Sequence, residues 1–514
     1  MTVLDAHRRA AALTELAEAN RPLDMLVIGG GITGTGVALD AATRGLRVAL
    51  VEAHDLAFGT SRWSSKLVHG GLRYLASGQV GIAYESAVER HHLLTTIAPH
   101  LIHPLPQVIP EIDSRRTAAM IRSGLVAGDL LRRVARTPQS ILPRPQRISA
   151  DEAARLCPAV SRHRLRGAML GADGQLVDDA RLVIAVARTA AAFGASFCTY
   201  CRADEVTGTG ARLTDSRTGE SITVSARTVV NATGVWAGTV QPTLRVRPSR
   251  GTHLVFDEAA FGHPTGALMV PLDANGGRFV FALPGQLGRV YVGLTDVDAP
   301  GPIPDVPSAT DDEIDFLLDA INRALDQRLA RNDIRGTYSG LRPLVDPTSE
   351  ESDSGTGDLA DVSRRHQVRV DDGLISVLGG KLTTYRRMAQ DATDAAVRVG
   401  GLRAGPCVTA STPLVGAADI GAQPGIPQSM VARYGAEATK VVATARLRDP
   451  LAPIAGSLGV TRAEVEFAVT HEGALTADDV LHRRTRLGLV DADAALARAA
   501  VEEIVASTLT ETTR

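Results

Sequence analysis

Cysteine, aromatic residues, net charge and long apolar runs are all in short supply, and each shortage excludes something. Four cysteines, Cys157, Cys198, Cys201 and Cys407, stand in 514 residues. They are too few and too scattered for a disulfide framework, which agrees with a reducing compartment. Cys198-Thr199-Tyr200-Cys201 matches CxxC. Residues 196–206 read as one strand, however, where positions three apart point to opposite faces, and no second Cys or His pair completes a metal site. Ordinary packing is expected, and no metal. A formal charge of -2 supplies no field to draw the chain to nucleic acid or anionic lipid. No apolar stretch is long enough to span a bilayer. Residues 1–20 alternate charges with alanine and leucine and lack an apolar core before a cleavage site, so they read as a surface helix or tail and not as a signal peptide. The expected location is cytoplasmic, with any membrane contact local and peripheral on the cytoplasmic face. Hydrophobic residues at 44% and charged residues at 22% suit a globular enzyme of several domains.

What is present begins with Leu23 to Ile28, an apolar run suited to a strand buried on both faces. It breaks into Gly29-Gly30-Gly31-Ile32-Thr33-Gly34-Thr35-Gly36. Gly29, Gly31 and Gly34 fit GxGxxG: the first permits a tight turn, the second a close approach of backbone to pyrophosphate, the third close packing of the following helix. That helix is expected to run to Arg44, with Gly45 ending it. A second strand, Leu46 to Val51, delivers Glu52 about twenty residues past the glycines, placed to accept from a ribose hydroxyl. Strand, glycines, helix, strand and acid in register point to nucleotide binding far more specifically than GxGxxG alone.

The unit resumes in separated pieces. Asp178 and Asp179 open a helix through Ala192, a strand follows near 196–206, and Thr228 to Val230 leads into Asn231-Ala232-Thr233-Gly234-Val235-Trp236. Leu374 to Leu378 leads into Gly379-Gly380-Lys381-Leu382-Thr383-Thr384, glycines before a helix whose N-terminus favours negative charge facing it. Residues 251–297 alternate in short strands broken by glycine and proline, as expected of an antiparallel sheet over the cofactor. Beyond about Gly401 the chain turns alanine- and leucine-rich with helical periodicity. Lysine is scarce against arginine, yet Lys66 and Lys381 both fall in glycine-bearing motifs.

GGGITGTG, SSKLVHGGLRYL, VDDARL, NATGVW, YSGLRPL and LGGKLTTYR, in that order over nearly the whole chain, resemble FAD-dependent glycerol-3-phosphate dehydrogenases of the D-amino-acid-oxidase-like flavoprotein superfamily. The resemblance implies an α/β fold: a Rossmann-like FAD-binding domain assembled from discontinuous segments (23–90, 170–245 and 335–400), an antiparallel-sheet substrate domain (91–169 and 246–334) and a C-terminal helical domain (401–514), after an N-terminal helix or tail (1–22). It further implies noncovalent FAD and oxidation of sn-glycerol 3-phosphate to dihydroxyacetone phosphate, with electrons passing to a membrane quinone.

Such chemistry needs phosphate anchors, a base and donors that tune the flavin. Arg73, Arg342 and Arg364 are the phosphate candidates, since guanidinium forks grip phosphate oxygens and stay charged when partly buried; Arg365 rivals Arg364. His253 is the first choice as proton acceptor, because histidine titrates near neutrality and its strand should cross the flavin face. His69 is its rival, expected against FAD. Tyr74 either hydrogen-bonds substrate or packs. Lys381 is expected near the flavin N1 and C2 carbonyl edge. Ser64, Ser65 and Lys66 should line the cofactor, as should Thr233, Gly234, Gly379, Gly380, Leu382 and Thr383. The family commonly shows two threonines where Leu294-Thr295-Asp296 keeps one, which puts a contact by Thr295 in doubt.

Residues 115–133 interleave arginines with Met120, Ile121, Leu125, Leu130 and Leu131. This suits an interfacial membrane helix or one packed on its own domain. Rival functions are an oxidase passing electrons to oxygen, an amine or amino-acid oxidase, and a noncatalytic flavin-binding protein of the membrane surface. A second copy of the chain, in a homodimer, is a further partner the sequence allows.

Overall fold

The computed structural model describes residues 2–512 apart from 72–73, 75–77, 112–114, 164, 273–277, 346–364 and 420. Strands Met25–Ile28 and Val48–Val51 sit at the middle of a six-stranded sheet, flanked by Val229–Asn231 and Leu374–Leu378 on one side and Ser196–Cys198 on the other. These five are parallel, and Gln367–Asp371 adds an antiparallel edge. Alternate residues leave on opposite faces. Met25 and Val27 join one apolar core with helices Ile32–Thr43, Asp179–Ala192 and Tyr385–Gly400, whereas Leu26 and Ile28 join another with helix Ala6–Ala17. Burial on both faces explains the unbroken apolar runs. The discontinuous assembly expected from the sequence is present.

The single strand expected over 196–206 is instead two. Ser196–Cys198 ends in the parallel sheet, Tyr200 takes a left-handed backbone with φ +54, and Cys201–Thr207 starts a separate three-stranded meander with Gly210–Asp215 and Ser221–Ser225. The chain must turn here because the two strands belong to different sheets. Cys198 and Cys201 therefore share one apolar cluster instead of facing apart, and both are free thiols. Burial pushes them up to about 12 and about 11, so they pack and do not react.

The second sheet is longer and mostly antiparallel, running from Val297–Asp298 through Val246–Asp257, Arg289–Gly293, Phe279–Pro284, Ala267–Pro271, Ile102–Pro110 and Ala168–Leu176 to Leu67–Val68. Gly336–Val345, read from the sequence as part of the nucleotide-binding segments, pairs along its whole length with Val246–Asp257 in this sheet. Ala168–Leu176 likewise lies here and straddles the expected boundary at 170. The reason is pairing: both strands hydrogen-bond along their length to strands of the antiparallel sheet, a long-range partnership that a reading of motifs alone does not see.

Helices Arg462–His471 and Asp491–Thr512 form the centre of the C-terminal region. Buried charge pairs dock it: Arg484 donates to both oxygens of Asp55 at 2.8 and 2.9 Å, and Arg483 reaches the same carboxylate at 2.6 Å. Buried pairs of this kind fix a geometry more than they add net stability. Helix Arg115–Val134 has a divided character, with Leu125 and Leu131 buried and Val126 and Leu130 more than 60% exposed. Among the described residues no helix is long and apolar enough to cross a membrane.

Candidate active site

The carboxyl ends of the parallel strands open onto one cavity of about 770 Å³ that continues beneath the antiparallel sheet. At its nucleotide end Gly29 holds φ +111, and a Cβ there would sit 2.6 Å from the Ala232 carbonyl oxygen. Gly34 has no room for a Cβ either, because the Gly29 carbonyl occupies that place. It keeps helix Ile32–Thr43 against the turn and does not itself line the cavity. Gly31 does, as the N-cap. Ile32 N donates to Ser61 Oγ at 2.9 Å, so Ser61, missed in the sequence, finishes the helix start; its signal was the polar run Thr60-Ser61 just ahead of the SSK motif. Glu52 lies on the wall and accepts from Gly30 N at 2.6 Å and His54 N at 2.9 Å. Burial raises its carboxyl above the usual range, and those two amides oppose the shift. Thr233, whose hydroxyl donates to Asn231 Oδ1 at 2.6 Å, lines the cavity beside Gly234. Gly379, Gly380, Lys381, Leu382 and Thr383 enter from the strand Leu374–Leu378.

At the other end the antiparallel sheet supplies His253, fully buried, with Nε2 2.9 Å from Ser65 Oγ. Its ring stacks on Tyr338 with centroids 4.6 Å apart. Burial, and then the positive charges of Lys66 and Arg342, hold its pKa well below 6.5. It is therefore a neutral imidazole through the physiological range. Arg342 arrives on the neighbouring strand, where its Nη1 donates to Asp296 Oδ1 at 3.0 Å and Ser249 Oγ at 3.2 Å, and it lies over Gly251, where a side chain would collide with the guanidinium. Lys381 Nζ donates to Ser86 Oγ at 2.6 Å and sits 4.0 Å from the centre of the Tyr74 ring. Ser64, Ser65, His69 and Tyr74 also line this end.

One expectation comes out differently. Lys66, expected at the cofactor, is buried away from the cavity lining with Nζ 2.9 Å from Asp179 Oδ2, because an ammonium with almost no exposure must be paired. Arg73 and Arg364 lie outside the described residues, and Arg365 is exposed, off the lining. Thr295 Oγ1 donates to Glu313 at 2.7 Å and accepts from Thr252 N at 2.9 Å, which makes it part of a buried support. Tyr338, quoted in the YSGLRPL motif but given no role, carries the face on which His253 rests.

The glycine turn, the helix N-terminus and a cavity of dinucleotide-holding size fit FAD. Comparison with known proteins agrees. The family model described as FAD dependent oxidoreductase matches residues 24–380, and that of the C-terminal domain of alpha-glycerophosphate oxidase matches residues 407–512. Glycerol-3-phosphate dehydrogenase 1 of Mycobacterium tuberculosis is 57% identical over 498 residues, 95% of this chain and 96% of that protein. Glycerol-3-phosphate dehydrogenase 2 of the same species is 38% identical, covering 94% and 83%. The solved glycerol-3-phosphate dehydrogenase from Bacillus halodurans complexed with FAD superposes with a TM-score of 0.73 at 27% identity, covering 100% of this chain and 97% of that one. With the glycine cradle and the His253 wall joined in one cavity, the chain belongs to the FAD-dependent glycerol-3-phosphate dehydrogenases.

Proposed function

We propose that the chain oxidises sn-glycerol 3-phosphate to dihydroxyacetone phosphate and passes the electrons to a membrane quinone. The observation that carries this reading is the continuity of the cavity from the Gly29–Gly31 turn to His253 and Arg342. Bound FAD supplies the two-electron acceptor for the hydride that leaves C2. Arg342, held in place by Asp296, grips the substrate phosphate and so sets where C2 lies. His253, neutral before substrate enters, takes the proton of the C2 hydroxyl at Nε2. A phosphate dianion against Arg342 offsets the charge that depresses His253, so substrate binding itself makes the base stronger. Lys381, held by Ser86 over the Tyr74 ring, presents a fixed cation that favours negative charge in the cavity.

The test is anaerobic addition of glycerol 3-phosphate to the FAD-loaded protein. Bleaching of the flavin band is expected, and a band that stays oxidised at saturating substrate sinks the reading in favour of a noncatalytic flavoprotein. Oxidation of the reduced enzyme by a soluble quinone, faster than peroxide appears in air, separates dehydrogenase from oxidase.

For the quinone to be reached the protein must rest on a bilayer, and helix Arg115–Val134 suits the role. Val126, Leu130 and Val134 recur at four-residue spacing and are exposed on one side, while Leu125 and Leu131 anchor the other. An apolar outer stripe on a helix rich in arginine has the character of an interfacial helix.

A further inference from the structure

The turn that carries Ser65 to His253 is held from the C-terminal helical region, through Arg486. Ser64, Ser65 and Lys66 form that turn, with Lys66 in the left-handed region at φ +58. Asp179 Oδ2 receives both Ser64 N at 2.8 Å and Lys66 Nζ at 2.9 Å. Tyr338 donates its hydroxyl to Ser64 O at 3.2 Å, and its ring lies beneath both Lys66 Nζ, 4.7 Å from the centroid, and His253. Arg486 completes the enclosure. Its Nη2 donates to Arg62 O at 2.6 Å, the same carbonyl that takes Lys66 Nζ at 3.2 Å. Its Nε lies 3.0 Å from Asp178 Oδ2 and its guanidinium 5.3 Å from the centre of the Trp63 ring. The following residues, Leu489 and Val490, pack in one cluster with Trp63 and Tyr338.

Asp178, Asp179, Lys66 and Arg486 thus make a fully buried quartet of two anions and two cations, each 4% exposed or less. Such a group is costly unless complete, and its members then hold one arrangement. It uses none of its groups on the cavity wall, and the Rossmann-like unit supplies only three of the four.

We infer that Arg486 is a positioning residue for the oxidation, closing the buried quartet that holds Ser65 against His253 and so making the C-terminal region part of the catalytic apparatus. This rests on the reading of His253 as the base. The charged and titratable groups around His253 are Lys66 from the turn and Arg342 and Tyr338 from the strand Gly336–Val345; Phe281 from the strand Phe279–Pro284 adds an uncharged ring. Loss of the Arg486 charge leaves the quartet net negative behind Lys66, which favours protonated His253; loss of Asp178 leaves it net positive, which disfavours it.

The experiment is anaerobic rapid mixing of FAD-loaded protein with glycerol 3-phosphate across pH, for the wild type, Arg486→Gln, Arg486→Lys and Asp178→Asn. Arg486→Gln is expected to slow flavin reduction at saturating substrate about tenfold or more, to leave the substrate concentration for half-saturation within about twofold, and to move the acid limb of the rate to higher pH. Arg486→Lys should recover part of the rate, and Asp178→Asn, which keeps a capping side chain, should move the limb the other way. Wild-type rate and limb in FAD-loaded Arg486→Gln overturn the inference. So does a slower rate with an unmoved limb, the mark of a merely structural role. If Arg486→Gln does not accumulate folded, the limb of Asp178→Asn decides alone, and an unmoved limb there overturns the inference. A wild type that glycerol 3-phosphate fails to reduce, or an acid limb that survives in His253→Gln, instead counts against the activity or the base.

Discussion

The nucleotide end of the cavity takes its glycine turn, helix start and Glu52 from one stretch, Met25 to Glu52, and closes with Ser61 and the Ala232–Gly234 turn, whereas the end bearing His253 and Arg342 is assembled from the Ser64–Ser65 turn, strands Val246–Asp257 and Gly336–Val345, the Gly379–Thr383 segment and, behind them, Arg486. The first depends on backbone: glycines without room for a Cβ, and amides at a helix start. The second depends on side chains whose orientation is set by partners far away in sequence. A binding end can therefore survive damage to the reacting end, and the two should separate under mutation.

The largest expected effect is at the first. Gly34→Val places side-chain atoms where the Gly29 carbonyl stands, so FAD content after purification, read from the flavin absorbance, should fall to near zero. A holoprotein with normal FAD content would show that the turn is not the nucleotide site. At the second end Arg342→Ala should retain FAD and lose about a hundredfold in kcat/KM for glycerol 3-phosphate, equivalent to about 3 kcal/mol for a charged hydrogen-bonding group. Unchanged steady-state kinetics would take Arg342 out of the pocket.

The acid limb is subtler. With His253 as the proposed base its neutral form is the active one, and its pKa is lowered, so kcat/KM should stay flat as pH falls through about 6.5, the ordinary histidine value, and decline only below it. Stability carries the same sign: below about pH 6.5 the unfolded chain takes up the proton first, so burial of neutral His253 costs stability as the pH falls. A limb centred at the ordinary value would mean that the titrating group is elsewhere. The smallest effect on chemistry belongs to the outer helix. Val126→Ser, Leu130→Ser and Val134→Ser together should abolish flotation with anionic vesicles and leave anaerobic flavin reduction unchanged; equal flotation removes this helix as the contact.

The contrast between the ends also explains what could be read in advance. Strand, glycine turn, helix and Glu52 were legible because each is a local consequence of adjacent residues, and the helix observed at Ile32–Thr43 stops one residue short of the expectation. Arg342 was legible as a motif member and His253 as a titratable residue on a strand expected over the flavin, but that they stand on adjacent strands, with Ser249 opposite Arg342 in register, depends on pairing across about ninety residues. Lys66 was misplaced because a lysine inside a cofactor motif reads as a ligand until its buried acid, Asp179, is seen in space. The break at Tyr200 was hidden since both flanking segments have strand character. Arg486 left no local signal at all: its meaning lies entirely in Asp178, Asp179 and Arg62.

His253→Gln tests the separation of binding from chemistry most directly, by FAD content and by anaerobic flavin reduction with glycerol 3-phosphate in a rapid-mixing cell. The expected result is one FAD per chain, as in the wild type, with reduction slowed by roughly a hundredfold or more, the scale of a lost general base. Reduction at the wild-type rate, or loss of FAD with normal reduction in the fraction that retains it, would contradict the account.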